Sequence, residues 1–292
     1  MAFLPLTLGD RALFREFEKK SPLVASDANF TNMFIWRNYY RFSWERLGDS
    51  LCVIANPEGG KPFAFPPLGD SRDPRAWDHL AASLEEPNFQ RVPEELAAFV
   101  GEIRPGWLVV PDRDNDDYVY LGEKLQTLSG RSMHQKKNHY NYFIQNYRHE
   151  FLPIHKDLFP ELMAMEDQWL TFKADKGAEL SHLKMEREAI HNILVHFDEL
   201  EVAGLAVKID GAIEAYAIGE NLNADAAVVH VEKGNPEIRG IYVALCSHFC
   251  RNVFPAATYV NREQDLGLAG LRRSKESLKP HHFNRKFKIT PA

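Results

Sequence analysis

One stretch, residues 229–244, constrains the fold of this chain more than any other part of the sequence. Its β-branched residues predict a strand that ends near Glu232, and the Gly234-Asn235-Pro236 run interrupts that strand. Because proline is tolerated in the first turn of a helix, we predict a helix over residues 236–254. A strand followed at once by a helix is a common way of presenting backbone N–H groups to a ligand.

The composition is typical of a globular chain with a sizeable core. Of 292 residues, 45% are hydrophobic and 26% are charged, which suits one large core or two domains of about 120 to 150 residues. No apolar run approaches the roughly 20 residues that cross a bilayer, and no basic region precedes an N-terminal apolar run. The spacing of Cys52, Cys246 and Cys250 fits neither a disulfide framework nor a zinc site. We expect a cytoplasmic protein with no integral membrane segment and no metal.

Basic residues are concentrated in two segments of an acidic chain. The formal net charge is −6, which argues against a general nucleic-acid binder and against DNA as a partner. Residues 131–149 nevertheless contain four Lys or Arg residues and no acid, and residues 271–292 contain seven against a single acid. These segments predict either localised contacts with anions or solvated helix faces, and the sequence leaves both open.

The predicted elements form two similar series. Each opens with a strand and two helices and continues through a three-stranded meander to a helical segment. In the first series we predict a strand at residues 4–8, helices at 10–20 and 26–40, strands at 41–47, 51–56 and 63–66, and helices at 74–84 and 93–103. In the second series we predict a strand at 151–155, helices at 157–172 and 181–198, strands at 201–209, 212–221 and 226–232, and a helix at 236–254. A strand at 257–260, a helix at 266–277 and a strand at 283–289 follow. We predict two domains, 1–128 and 151–292, joined by a basic bridging helix at 129–150.

This order of elements resembles the acyltransferase fold of the Gcn5-related N-acetyltransferase superfamily, here in tandem. The resemblance implies α/β (α+β) domains with mixed, largely antiparallel sheets flanked by helices. In that superfamily an Arg/Gln-x-x-Gly-x-Gly/Ala loop holds the pyrophosphate of coenzyme A at a helix start. Arg239 and Ala244 match this loop, but Tyr242 occupies its first glycine position. A side chain there hinders the approach of a diphosphate, so coenzyme A is the less favoured cofactor.

Four motifs carry a closer resemblance. They are GRSMHQKKNHYN at residues 130–141, EKGNPEIRG at 232–240, NREQDLG at 261–267 and GLRRSKESLKP at 270–280. In this order, they resemble the soluble relatives of the C-terminal domain of phosphatidylglycerol lysyltransferases. That family, with the related peptidoglycan Fem transferases, implies a tandem acetyltransferase-like fold that takes an aminoacyl group from charged tRNA and needs no pyrophosphate loop. The membrane-bound synthases carry transmembrane helices that have no counterpart here, so the resemblance implies the donor more firmly than a lipid acceptor.

We therefore expect an acyltransferase that moves an aminoacyl group from aminoacyl-tRNA to an amine or hydroxyl of a lipid headgroup, peptide or small molecule. The alternatives are an acyl-coenzyme A-dependent N-acyltransferase and a non-catalytic tandem domain that binds a ligand. Either transfer requires a proton acceptor for the attacking group, hydrogen-bond donors for the oxyanion, and cations for the phosphates of the donor.

Three residues are predicted to be catalytic. Glu232, near the end of a strand, is the candidate carboxylate for an amine, although its neighbour Lys233 can instead neutralise it. Asp265 lies between a strand and a helix, which suits the positioning of an amino group and equally a helix N-cap. Lys275 occupies the lysine position of the family pattern Leu-Arg-Arg-x-Lys, and this resemblance implies contact with a phosphate or oxyanion. A surface ion pair is the alternative for Lys275.

Nine further residues are predicted to bind substrate. They lie on the basic helix, in the strand-to-helix turn, in the 261–263 loop and on the last helix: Arg131, Lys136, Lys137, Asn141, Arg239, Tyr242, Asn261, Glu263 and Arg273. Lys137 and Asn141 share a helix face and can either hold phosphates of the donor or cap a domain junction. His230 lies near Glu232 on the same strand, and we interpret it as a core histidine rather than a base.

Overall fold

The structure is a computed structural model that describes residues 3–21, 25–175, 177 and 180–291. The chain forms two compact units. The first comprises Met1–Asp117, Gln264–Ala269 and Phe283–Ala292, and the second comprises Tyr118–Glu263 and Gly270–His282. The chain therefore returns twice to the first unit after it has entered the second. The boundaries near residues 128 and 150 stay a prediction.

The strands and helices follow the alternating order expected from the sequence. The strands are β1 (Leu4–Pro5), β2 (Ser43–Leu47), β3 (Ser50–Ala55), β4 (Phe63–Ala64), β5 (Leu68–Gly69), β6 (Phe89–Pro93), β7 (Leu108–Pro111), β8 (Asp117–Leu121), β9 (His149–Pro153), β10 (Ala203–Ile209), β11 (Ala212–Asn221), β12 (Ala226–Gly234), β13 (Tyr259–Asn261), β14 (His282–Asn284) and β15 (Lys286–Thr290). The α-helices are α1 (Arg11–Lys20), α2 (Phe30–Ile35), α3 (Arg37–Tyr40), α4 (Pro74–Ala82), α5 (Glu94–Ile103), α6 (Gly122–Thr127), α7 (His134–Asn146), α8 (Phe159–Asp175), α9 (Leu180–Val195), α10 (Ile241–Asn252) and α11 (Ala269–Ser277).

The first sheet has the strand order β1-β2-β3-β4-β6-β15-β7, and β5 pairs with β3. Its pairs are antiparallel except for β4 with β6. Strand β3 is buried along its whole length, as expected of a strand covered on both faces. Apolar residues at helical spacing, Trp77 and Leu80 on α4 and Leu96 and Val100 on α5, belong to the core that packs with this sheet.

Strand β15 lies between β6 and β7 in the first sheet, although it comes last in the sequence. Phe287 pairs with Val92 of β6 on one side and with Pro111 of β7 on the other. Ile289 is fully buried in the core of the first unit. The sheet of the first unit is therefore completed by residues that follow the second unit in the chain.

A buried charge network, Asp27, Arg91, Asp117 and Lys286, fixes this strand within the first unit. Lys286 donates hydrogen bonds to Asp27 and to Asp117, and Arg91 donates to Asp27. Burial by itself raises the pKa of Asp27, but the charges of Arg91 and Lys286 outweigh burial and lower this pKa to about 2. The network holds two cations and two carboxylates, so each buried charge has an opposite partner.

The second sheet has the strand order β14-β8-β13-β12-β11-β10-β9. Strands β10 and β11 form a hairpin through Asp210 and Gly211, whose φ angles are 50° and 90°, as a tight hairpin turn requires. Strands β12 and β13 are parallel, and α10 makes the connection between them. The buried residues of α10, including Ile241, Leu245 and Phe249, supply its apolar face.

Two predicted helices differ from the structure, and two strands were not predicted. The single helix predicted over residues 26–40 is a 3-10 turn followed by α2 and α3, because Asn29 caps α2 by accepting a hydrogen bond from the Asn32 N–H. The helix predicted from Pro236 begins at Ile241, after Gly240 in a left-handed conformation. Strands β6 and β7 were not predicted, since β6 has the polar residues Gln90 and Arg91 at its centre and β7 exposes apolar side chains.

Candidate functional site

The parallel strands β12 and β13 separate before β12 ends. Their pairing runs from Ala226 with Tyr259 to Val228 with Asn261, whereas β12 continues along β11 as far as Gly234. Among the described residues, the later part of β12 therefore has a strand partner on one side only. We call the space between residues 229–234 and residues 262–263 the β12–β13 opening.

A β-bulge at His230 lies at the start of this opening. Ile218 of β11 pairs with Val231 and Gly219 pairs with Val229, so His230 has no residue opposite it. A Cβ atom at Gly219 would lie 2.1 Å from the carbonyl oxygen of Val228, and only glycine allows this approach. The bulge changes the direction in which the side chains of β12 point.

Glu232 and Arg262 face each other across the opening. Nη2 of Arg262 donates a hydrogen bond of 2.6 Å to Oε1 of Glu232, and the two side chains are only 11% and 13% exposed. The guanidinium of Arg262 also lies 5.5 Å from the centre of the Tyr120 ring. Nη1 of Arg262 is buried and has no hydrogen-bond partner within the described part of the chain.

Lys233 does not neutralise Glu232, contrary to the alternative drawn from the sequence. Its ammonium donates a hydrogen bond of 2.6 Å to Glu186 of α9 and lies 4.0 Å from Glu166 of α8. Neighbouring residues of a strand point to opposite faces, so Glu232 and Lys233 take different partners.

His230 is held between two carboxylates. Its Nε2 lies 3.0 Å from Glu220 and its Nδ1 lies 3.1 Å from Glu263, with the imidazole side chain 0% exposed. Burial by itself lowers the pKa of His230, but the hydrogen bonds to Glu220 and Glu263 outweigh burial and raise this pKa to about 9. The imidazole is therefore protonated at neutral pH and orients Glu263 rather than accepting a proton.

The loop that carries Arg262 and Glu263 is fixed by its backbone. The N–H of Arg262 donates to the Tyr118 carbonyl at 2.9 Å, and the N–H of Tyr118 donates to the Glu263 carbonyl at 3.1 Å. Asn261 accepts a hydrogen bond of 2.8 Å from the N–H of Glu263. Glu263 itself has a φ of 54°, a left-handed conformation that these bonds hold in place.

Lys275 of α11 completes the support of this loop. Its ammonium donates hydrogen bonds to the carbonyl oxygens of Arg262 and Glu263, and the residue is buried. The Tyr120 hydroxyl donates a hydrogen bond of 2.8 Å to the carbonyl oxygen of Lys275. The structure thus brings Lys275 beside Arg262, with the ammonium directed at the loop backbone.

Asp265 belongs to the first unit, whereas Glu232 and Lys275 belong to the second. The Asp265 carboxylate accepts hydrogen bonds from the N–H of Gly267 at 2.8 Å and from Nη1 of Arg113 at 3.4 Å. It is completely buried. These contacts fix the turn that precedes α11.

Helix α7 lies directly on the start of α10. Gly240 has a φ of 90°, and a Cβ atom there would lie 2.2 Å from the His139 carbonyl oxygen of α7. The guanidinium of Arg239 lies over the ring of Tyr142, 4.3 Å from its centre. Tyr242 donates a hydrogen bond of 2.7 Å to the Gly234 carbonyl, and burial raises its pKa to about 12. Aromatic and backbone groups of α7 therefore contact this helix start.

The remaining predicted binding residues differ in exposure. Arg131, Lys137 and Asn141 are exposed, as is Arg273 of α11, while Lys136 is partly buried. Arg262, which the sequence analysis did not select, lies between the selected residues Asn261 and Glu263. Arg262 follows a strand and lies in the NREQDLG motif at residues 261–267. The same two signals predicted Asn261 and Glu263 as binding residues, so they could also have predicted Arg262.

Residues 19–290 match the family model described as phosphatidylglycerol lysyltransferase, C-terminal. The chain belongs to this family. A curated relative in Mycoplasmoides gallisepticum, an uncharacterized protein, is 26% identical over 175 residues, which are 59% of this chain and 55% of that protein. The match thus spans about half the length of that relative.

Three solved structures are similar in fold to this chain. A conserved protein of unknown function from Bacteroides thetaiotaomicron is 28% identical, with a TM-score of 0.92 and 100% of both chains covered. L-PGS from Bacillus licheniformis is 15% identical, with a TM-score of 0.67 over 96% of this chain and 91% of that chain. A tandem GNAT protein from the clavulanic acid biosynthesis pathway is 11% identical, with a TM-score of 0.54 over 100% and 98%. The predicted tandem acetyltransferase-like fold, with mixed sheets flanked by helices, is confirmed.

Within the described residues, no helix is long and apolar enough to cross a membrane. Over the same residues, no group of three or more His, Cys, Asp or Glu side chains is arranged to hold a metal ion.

Proposed function

We propose that the chain transfers an aminoacyl group from aminoacyl-tRNA to an amine or hydroxyl acceptor, and that the reaction takes place at the β12–β13 opening. Membership of the phosphatidylglycerol lysyltransferase C-terminal family supports the donor. The acceptor oxygen or nitrogen attacks the ester carbonyl, and the tRNA 3′ oxygen leaves with the proton that the acceptor loses. The products are the aminoacylated acceptor and free tRNA.

The observation that carries the choice of donor is the contact of α7 with Gly240. In acyl-coenzyme A transferases the diphosphate approaches backbone N–H groups at this helix start. Here the His139 carbonyl occupies the position that any Cβ at Gly240 would need, and Tyr242 is bonded to the Gly234 carbonyl. This arrangement supports a donor whose phosphates bind elsewhere over acyl-coenzyme A.

Glu232 is the residue we assign to the attacking acceptor. Its carboxylate borders the opening and is held in one position by Arg262, as a group that accepts a proton or binds an ammonium must be. Lys275 acts as a positioning residue, because its ammonium holds the carbonyls of the loop that carries Arg262. Asp265 is assigned the same kind of role within the first unit, where it fixes the turn before α11.

The exposed polar residues of α7 and α11 are assigned to the phosphates of the donor. Arg131, Lys137 and Asn141 on and before α7, and Arg273 on α11, present their side chains to solvent. Contacts of this kind weaken as salt concentration rises, because binding releases counterions from the nucleic acid. They are separate from the buried pair at Glu232.

Transfer from charged tRNA tests the proposal. Bulk tRNA charged with one labelled amino acid at a time is incubated with the protein and with lipid, peptide or small-molecule fractions. We expect at least one label to leave tRNA faster than by spontaneous hydrolysis and to appear in one fraction. Glu232→Gln should slow this transfer about 100-fold or more, while Lys156→Gln, which alters an exposed pair with Asp198 in the same unit, should leave it unchanged.

Two results would contradict the proposed function. If no aminoacyl group leaves tRNA faster with the protein than without it, the chain is a binding domain rather than a transferase. If acetyl-coenzyme A stabilises the protein against heating and is consumed, the argument from Gly240 fails.

A further inference from the structure

We propose that Arg262 and Lys136 form an anion-binding subsite in the second unit, which takes a carboxylate or phosphate group of the acceptor. The assignment of this group to an acceptor rests on the proposed function. The binding of an anion does not, since it follows from the two side chains themselves.

Arg262 supplies the first half of the argument. Nη2 is used by Glu232, but the buried Nη1 has no hydrogen-bond partner within the described residues. A charged donor that is buried without an acceptor is unfavourable, and such groups in native proteins are usually satisfied by a ligand, an ion or ordered water. Guanidinium groups bind carboxylate and phosphate oxygens particularly well.

Lys136 supplies the second half. On α7 it shares a face with Tyr140 and Phe143 by the three-to-four-residue spacing of a helix. This face packs on α10, since the Tyr140 hydroxyl lies 3.0 Å from Nε2 of His248 and Phe143 lies against Gly240. Lys136 is therefore on the packed side of α7, and it has no ion-pair partner among the residues that the structure describes.

The charges around the two residues do not cancel. Burial, and next the positive charge of Arg262, lower the pKa of Lys136. Cys246 opposes this change, and the exposed Lys279 acts in the same direction as Arg262. Glu232 is the carboxylate that pairs with Arg262. Arg262 thus has one carboxylate partner, and its charge acts unfavourably on the charge of Lys136. An added anion would relieve this repulsion.

Two thiols of α10 lie near the proposed site. Cys246 and Cys250 are free and buried. The hydrogen bond from Cys250 and the charges of Arg262 and Lys136 lower the pKa of Cys246, and burial and the charge of Glu232 oppose this change. A positive environment that favours a thiolate also favours an oxyanion.

Binding of inorganic phosphate and of acetate, each measured by calorimetry at constant ionic strength, tests the subsite without tRNA. We expect the wild-type protein to bind at least one of them. Lys136→Met and Arg262→Lys should weaken this binding about tenfold or more, a loss of about 1.4 kcal/mol. Arg262→Lys keeps a cation for Glu232 but removes the Nη1 donor. The matched control is Lys156→Met, which removes an exposed lysine of the same unit that pairs with Asp198 and should bind as the wild type does.

The outcomes show separately whether the subsite exists and which kind of anion it binds. Binding of phosphate alone points to a phosphate-bearing acceptor, and binding of acetate alone points to a carboxylate; both support the subsite. Failure of the wild type to bind either anion overturns it, as does an equal loss in Lys156→Met. Anion binding without transfer from tRNA would leave the subsite intact and refute the proposed function.

Discussion

Glu232 and Arg262 form an ion pair that is almost excluded from water, with 2.6 Å between Oε1 and Nη2 and side chains 13% and 11% exposed. Glu232 lies in β12 and Arg262 immediately follows β13, so the pair spans the place where these strands separate. Its energetic role can be measured independently of any substrate.

Replacing Glu232 by alanine is expected to lower the free energy of unfolding by about 3 to 5 kcal/mol, since it leaves Arg262 buried without a counter-charge. Urea denaturation measures the change. Glu161→Ala is the control, because Glu161 forms a pair with Lys208 while 44% exposed, and it should cost about 1 kcal/mol or less. Equal losses in the two variants would contradict a dry Glu232–Arg262 pair.

His230 predicts a defined dependence of stability on pH. Its pKa is about 9 in the folded protein and about 6.5 in an unfolded chain, so folding takes up a proton between these values. The stabilisation, on the order of 3 kcal/mol, is fully present below pH 6.5 and is lost as pH rises through about 9. Denaturation curves of the wild type and of His230→Gln, recorded from pH 6 to 9.5, should converge at the alkaline end. Curves that stay parallel would show that His230 does not titrate in this range.

Lys286 is expected to be essential to the first unit. Lys286→Met leaves Asp27 and Asp117 without their shared cation, which should destabilise the protein by about 3 to 5 kcal/mol. Lys288→Met, two residues along the same strand, removes a 47% exposed lysine that pairs with Asp112 and should cost about 1 kcal/mol at most. Limited proteolysis should show earlier cleavage within the first unit of Lys286→Met, and a stable Lys286→Met protein would disprove the role of the buried charge network.

Gly240→Ala tests the contact between α7 and α10. The new Cβ would meet the His139 carbonyl oxygen at 2.2 Å, at a φ of 90°, so we expect a loss of about 2 to 4 kcal/mol from strain and overpacking. At Gly101 of α5 no atom lies within 4 Å of an added Cβ, and Gly101→Ala should gain about 0.5 to 1 kcal/mol from helix propensity. Thermal unfolding of the two variants distinguishes these opposite effects, and a neutral Gly240→Ala would show that α7 does not fill the helix start.

Local sequence signals were sufficient for most of the second sheet. Strands expected at residues 201–209, 212–221 and 226–232 correspond to β10, β11 and β12. These strands are determined by residues that are close together in the sequence, namely the alternating apolar residues and the Asp210-Gly211 turn. The four motifs predicted the family, which the family match confirmed.

The partner of Glu232 could not be predicted in the same way. Lys233 is adjacent in sequence, but adjacent strand residues point to opposite faces. The actual partner, Arg262, lies 30 positions away, in the loop that follows the neighbouring strand β13. Its approach to Glu232 depends on where the two strands separate. The bulge at His230 likewise depends on the register between β12 and β11. The residue pattern of β12 alone does not reveal this register.

The place of β15 in the first sheet has a consequence for how the protein is made. A ribosome releases the chain in order, so β6 and β7 emerge from the exit tunnel well before the strand that joins them. During translation the edge of β6 that later receives β15 stays unpaired, while the strands of the second sheet are synthesised. The nascent first unit can therefore close only after the second has emerged, and the interval leaves an open strand edge for chaperones to protect.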